Sequence, residues 1–137
     1  MVLLPVVALC ALAAVLLTDV TAHAEPLRGV RVGQHGGLSR VVFDLPQVAP
    51  YQLEAGADGR TLRVVFPTLT LSPKLTRLQP KNALIQDIRF STTAAALTVD
   101  IVLTQPGTIQ HQTRLSSPPR VVLDLVQRQD PVPPSVP

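Results

Sequence analysis

The chain has 137 residues, 46% hydrophobic and 15% charged, with a net charge of +3 at pH 7, which suits one small domain with appendages rather than two domains. Fourteen prolines and 3% aromatic residues disfavour long helices and point to short strands joined by turns. The single cysteine, Cys10, excludes an internal disulfide or a cysteine-built metal site. Three Phe, one Tyr and no Lys/Arg run leave neither a stacking platform nor a phosphate track, so nucleic acid is not an expected partner.

Residues 1–17 are almost wholly apolar, Asp19 closes the run, and Ala22 and Ala24 place small residues where a signal peptidase reads. The pattern predicts a secretory signal over 1–24, cleaved before Glu25, although no Lys or Arg precedes the apolar run. A helix needs roughly 20 apolar residues to cross a bilayer, and this run is shorter and interrupted by Pro5, so no membrane anchor is expected after cleavage. Leu9, ahead of Cys10, argues against lipid attachment. Loss of residues 1–24 removes Asp19 and no basic residue, leaving 12 basic against 8 acidic side chains, a net of +4. That mild excess suits a polyanion or a carboxylate-rich polymer.

Residues 27–32 alternate weakly and predict a first strand, with Val30 and Val32 on one side and Arg31 between them. Gly36 and Gly37 form a tight turn into Arg40-Val41-Val42-Phe43-Asp44-Leu45, where alternation puts Val41, Phe43 and Leu45 on one face and Arg40, Val42 and Asp44 on the other. Pro46 and Pro50 end this strand. Tyr51 and Leu53 begin another, residues 57–60 turn the chain, and Leu62, Val64 and Phe66 alternate with Arg63 and Val65 until Pro67. Residues 67–84 read as a connector with a short helical turn around residues 74–78.

The architecture then repeats. A shift of 58 residues aligns Leu27 with Ile85, Val30 with Ile88, Arg31 with Arg89, Val41 with Val99, Phe43 with Ile101, Tyr51 with Ile109 and Val64 with Val122. The expected fold is all-β: two matching sets of about four strands, packed on one another as a sandwich of two pseudo-symmetric small antiparallel sheets over 25–128. Residues 129–137, rich in proline, form a linker. A separate repetition crosses the first: Arg120-Val121-Val122-Leu123-Asp124-Leu125 rewrites the Arg40 segment with five of six positions identical, but falls at a non-equivalent strand.

Catalytic chemistry finds little to work with. His35 lies in a glycine turn, His111 on a predicted strand, and Ser116-Ser117 lacks the glycines and strand-to-helix change of a nucleophile elbow. The outward charges are better candidates. Arg40 and Asp44 lie four apart on one strand face, roughly 13 Å at ~3.3 Å per residue, so they must look to neighbouring strands or to a ligand. Cross-strand ion pairing and ligand binding are both open at this point. Arg28, Arg31, Arg63 and Arg89 add guanidinium groups on nearby strands, and a guanidinium fork grips carboxylates bidentately, as an acidic peptide or glycan would offer them.

The export signal, the opening Gly29-Val30-Arg31-Val32-Gly33, the Arg40 segment, the Tyr51 strand, Ile88-Arg89-Phe90 and the closing Arg120 segment together resemble the AMIN domain over about residues 27–127. That family stands ahead of the catalytic domain in periplasmic N-acetylmuramoyl-L-alanine amidases and occurs in some pilus secretins. The resemblance implies a periplasmic, non-catalytic module that needs no cofactor, binds peptidoglycan and recruits an attached amidase to the division septum. Septal or other envelope proteins are further implied partners. Carried over residue by residue, the exposed binding positions are Arg40 and Asp44 on one outer face and Arg120 and Asp124 on the other, with Arg31, Arg63 and Arg89 as the further outward guanidinium groups. The zinc ligands of the amidase domain have no counterpart in this sequence. Two other readings stand beside it: a protein-interaction domain of a secretin-like assembly, and the front part of a zinc-dependent amidase.

Overall fold

A computed structural model describes residues 25–93 and 96–128; the expected signal segment and linker lie outside the described residues. Ten strands follow in order: β1 (Glu25–Pro26), β2 (Gly29–His35), β3 (Leu38–Asp44), β4 (Gln52–Ala55), β5 (Thr61–Phe66), β6 (Leu69–Thr70), β7 (Ile85–Thr93), β8 (Ala96–Leu103), β9 (Gly107–Ser116) and β10 (Pro119–Gln127). They form two four-stranded antiparallel sheets, β2-β3-β10-β9 and β4-β5-β8-β7, and a small parallel pair, β1-β6. The all-β sandwich expected from the alternation is therefore present.

Each sheet is assembled from both halves of the chain. The β2-β3 hairpin is completed by β10-β9, and β7-β8 by β5-β4, so the two repeats exchange hairpins instead of each forming a sheet. Period-2 patterning reports which face of a strand is buried but not which strand lies beside it, and both arrangements bury the same side chains. The repeat also carries one extra residue. Gln110 bulges out of β9 between Ile109 and His111, so that beyond it the offset becomes 59 and Val64 corresponds to Leu123. The expected match of Val64 with Val122 is corrected accordingly: Val64 and Leu123 are fully buried, whereas Val122 is half-buried on the outer face. With these offsets, β5 pairs with β8 in the register that β10 takes on β3.

The core is one cluster shared by both sheets. Val41, Phe43, Val121, Leu123 and Leu125 face Leu62, Val64, Phe66, Leu97, Val99 and Ile101. Phe43 and Phe66 meet edge to face at 5.4 Å between ring centroids, and Tyr51 stands 6.2 Å from Phe66.

The helical turn expected around residues 74–78 is absent. Leu78 instead bridges antiparallel to Ile88, with reciprocal backbone hydrogen bonds of 2.9 and 2.8 Å. One isolated helical turn is an unfavourable nucleus, while the edge of β7 offers ready partners. Asn82 then ties the connector down. Its Oδ1 accepts from Ser39 Oγ and from the Leu84 and Ile85 amides, and its Nδ2 donates to Gln34 Oε1.

Candidate functional site

The repeated six-residue motif occupies the two central strands of the first sheet and pairs with itself, so Arg120 and Asp124 share the outer face of Arg40 and Asp44 instead of standing on the opposite one as expected. In the antiparallel register Arg40 lies opposite Asp124, Val41 opposite Leu123, Val42 opposite Val122, Phe43 opposite Val121 and Asp44 opposite Arg120. A strand written Arg-x-x-x-Asp is self-complementary when its copy runs antiparallel, because each end brings an Arg beside an Asp. This gives the second repetition its physical reason: the two copies are neighbours across a strand pair, not equivalents in the two repeats.

Only one end closes. Arg40 donates from Nε to Asp124 Oδ1 at 2.8 Å and from Nη2 to Oδ2 at 3.1 Å, a bidentate clamp across the central pair. Asp124 points outward, yet its side chain is only 9% exposed beneath that guanidinium. The Arg40 hydrogen bond holds its carboxyl below the usual carboxylate range against the opposing effect of burial, and the charges of Arg40, His111 and His35 act in the same downward direction.

At the other end Asp44 turns away from Arg120 to the edge strand. It accepts from Arg31 Nε at 2.9 Å and from Nη2 at 2.8 Å, and the Arg31 pKa is raised chiefly by that hydrogen bond. Gly29, directly opposite Asp44, has no side chain to occupy the space over the carboxylate. Arg120 is left as a guanidinium without a protein partner among the described residues, with its Nε buried and unbonded. Directly opposite Arg120, on the edge strand β9, lies Leu115, one of two large hydrophobic side chains exposed on the described surface.

Between Arg31 and Arg40 the outer face opens into a shallow groove of about 300 Å³ lined by Arg31, Val32, Gly33, Gln34, His35, Arg40 and Val42. Gly33 stands opposite Arg40 and nothing lies within 4 Å of where its Cβ would be, so the groove owes its depth to that glycine.

The second sheet's outer face is more fully compensated. Arg63 clamps Asp100 at 2.8 and 3.4 Å, with Glu54 opposite Arg63 on β4. Arg89 donates to Asp87 at 2.9 Å, and Arg77 from the connector donates to the same carboxylate at 2.8 Å. Asp87 is 2% exposed, and its carboxyl is held below the usual range first by Arg77 and then by Arg89, against burial.

The seven residues expected to bind thus divide. Arg31, Arg40, Asp44, Asp124, Arg63 and Arg89 all lie in ion pairs, and Arg120 alone presents an uncommitted charge. Arg40 and Arg120 both point outward, as expected. Asp87, Asp100 and Arg77 were not singled out from the sequence, although Asp100 sits in an alternating strand as Asp44 does. Neither was Arg114, whose guanidinium lies 4.4 Å over the Tyr51 ring while Tyr51 Oη donates to Gln112 Oε1 at 2.6 Å. Among the described residues no group of three or more His, Cys, Asp or Glu could hold a metal ion, and no helix is long and apolar enough to cross a membrane.

The AMIN domain family model matches residues 11–66, in line with the resemblance read from the sequence. No curated protein matches the chain. The AMIN domain is a non-catalytic, peptidoglycan-associated module of periplasmic amidases and secretins.

Proposed function

We propose, on the premise of that AMIN-domain match, that the chain is a periplasmic targeting module that binds peptidoglycan through the outer face of β2-β3-β10-β9 and brings an attached amidase to the division septum. The observation that carries the reading is the unequal charge on the two outer faces. The second sheet neutralises its guanidinium groups with carboxylates, whereas the first leaves Arg120 unmatched on the same outer face as the Gly33 groove, at the other end of the motif. An unpaired guanidinium at a surface seeks a carboxylate or a similar planar anion, and peptidoglycan presents carboxylates on its stem peptides. The binding sites proposed are Arg120 first, with the Arg31–Asp44 pair beside it and the Arg40–Asp124 pair at the other end of the motif. Arg63 and Arg89 on the opposite sheet hold that face together.

Co-sedimentation with purified sacculi at low salt tests the reading: the protein is expected in the pellet, and its retention in the supernatant contradicts it. A fluorescent fusion tests the septal part separately, through mid-cell bands as against uniform envelope fluorescence.

One observation favours a second reading, strand addition by an envelope protein. β9 is an edge strand of ten residues with no proline, exposed from Gln110 to Ser116, and an extended peptide pairs with such an edge. Saturable binding to an envelope protein together with indifference to sacculi would select it.

A further inference from the structure

We infer that Arg120 is the anchor for a carboxylate borne on an alkyl-substituted carbon, and that Arg31 keeps this anchor open by holding Asp44. The inference rests on the peptidoglycan reading and sharpens it to one chemical group and one end of one sheet.

The local charge explains why an anion is attracted there at all. Asp44, opposite Arg120 in the register, would repel an incoming carboxylate if it stood alone. Both its oxygens are bonded by Arg31, at 2.8 and 2.9 Å, so the Arg31–Asp44 pair is neutral and Arg120 contributes a net positive charge. At the Arg40 end the corresponding Arg already has its carboxylate. The motif's two ends are alike in sequence, and Arg31 makes them different in chemistry.

The neighbours of Arg120 define the rest of the ligand. Leu115, opposite Arg120 on β9 and on the same outer face, is 37% exposed and can cover a small alkyl group beside the carboxylate. A C-terminal alanine and the lactyl ether of a muramic acid both carry a carboxylate on a methyl-bearing carbon. Both sources share the recognised chemistry.

The dependence on Arg31 follows from the register. With Arg31 gone, Asp44 is released directly opposite Arg120, where an antiparallel pair brings Cβ atoms within about 5 Å. The motif then closes at both ends, and the internal carboxylate competes with any external one.

The test is a titration of the full chain followed by the Arg120 Nε–H resonance. The probes are N-acetyl-D-alanyl-D-alanine, N-acetylmuramic acid and the amide of each. Expected is a saturable shift at Arg120 with a Kd on the order of 1 mM for one or both acids and none for the amides. Arg120→Gln should lose binding with an unchanged melting temperature, Arg120→Lys should bind more weakly, and Arg31→Gln should weaken binding several-fold although Arg120 is intact. A stationary Arg120 resonance with both acids overturns the inference, as does an equal response to the amides or undiminished binding in Arg31→Gln. Sacculus pelleting of the unaltered chain is run alongside. If the chain pellets while the titration is silent, the Arg120 assignment falls and the peptidoglycan reading stands; if Arg120 responds but the chain does not pellet, the reverse holds.

Discussion

Asp44 and Arg120 face each other across the central strand pair, yet Asp44 spends both oxygens on Arg31 and Arg120 keeps a buried, unbonded Nε. The symmetric partners of this pair, Arg40 and Asp124, are clamped bidentately. A self-complementary motif is thereby broken at one end by a third strand, and that break separates charges that hold the sheet from the charge that is available.

Arg40 and Arg120 should therefore respond differently to the same substitution. Arg40→Gln strips a nearly buried carboxylate of its clamp and should lower the melting temperature by several degrees, because a buried charge without its partner is poorly tolerated. Arg120→Gln removes no bond and should leave the melting temperature within about a degree or two, in keeping with an ordinary surface change. Thermal denaturation of the two variants side by side checks this.

Acid should destabilise the protein through Asp87 and Asp124. Both carboxyls are held below their ordinary value of 3.8 by arginine hydrogen bonds, so the folded state binds fewer protons than the unfolded one. The stabilisation is complete above that ordinary value and is lost as pH falls below it through the depressed folded values. Melting temperature measured from pH 7 to pH 2 should hold level to about pH 4 and then fall. Asp87→Asn and Asp124→Asn should each lower the neutral plateau and flatten the acid limb.

Two core positions give sharper numbers. Phe43→Ala removes a fully buried ring packed edge to face on Phe66 and should cost about 3–5 kcal/mol in chemical denaturation. Gly107→Ala would place a Cβ 2.7 Å from Leu103 Cδ1 and 3.1 Å from the Val126 carbonyl oxygen. Leu103 can shift but the backbone oxygen cannot easily do so, and the expected loss is about 1–3 kcal/mol.

The exchange of hairpins predicts that neither half folds alone. Residues 25–66 and 85–128 each carry two hairpins that belong to different sheets, so a half-chain leaves β3 or β8 without its central partner. Circular dichroism should show each fragment unfolded and a mixture regaining strand signal. A folded single fragment would contradict the topology.

The sequence and the structure agree where side-chain alternation decides the outcome. Val41, Phe43, Leu97, Val99, Ile101 and Leu123 are buried as their period-2 spacing requires, and Gly36 and Gly59 take the positive φ of +61° and +69° at the expected hairpin turns. Strand neighbours were not legible, since the same alternation serves either pairing of hairpins. The Gln110 bulge was hidden as well, because one extra residue in a polar edge strand leaves no apolar signature. At the site, the outward direction of Arg40 and Arg120 was legible, but their unlike states depend on Arg31 reaching diagonally from β2. Asn82 could have been noticed as a short polar residue just ahead of an apolar run, where a side-chain carbonyl caps free amides.

The most direct measurement is the fraction of Arg120→Glu protein that pellets with sacculi, compared with the unaltered chain, with the melting temperature of each recorded alongside. Binding through the first sheet's outer face predicts a clear loss of pelleting with an unchanged melt. Full retention of Arg120→Glu in the pellet would contradict it.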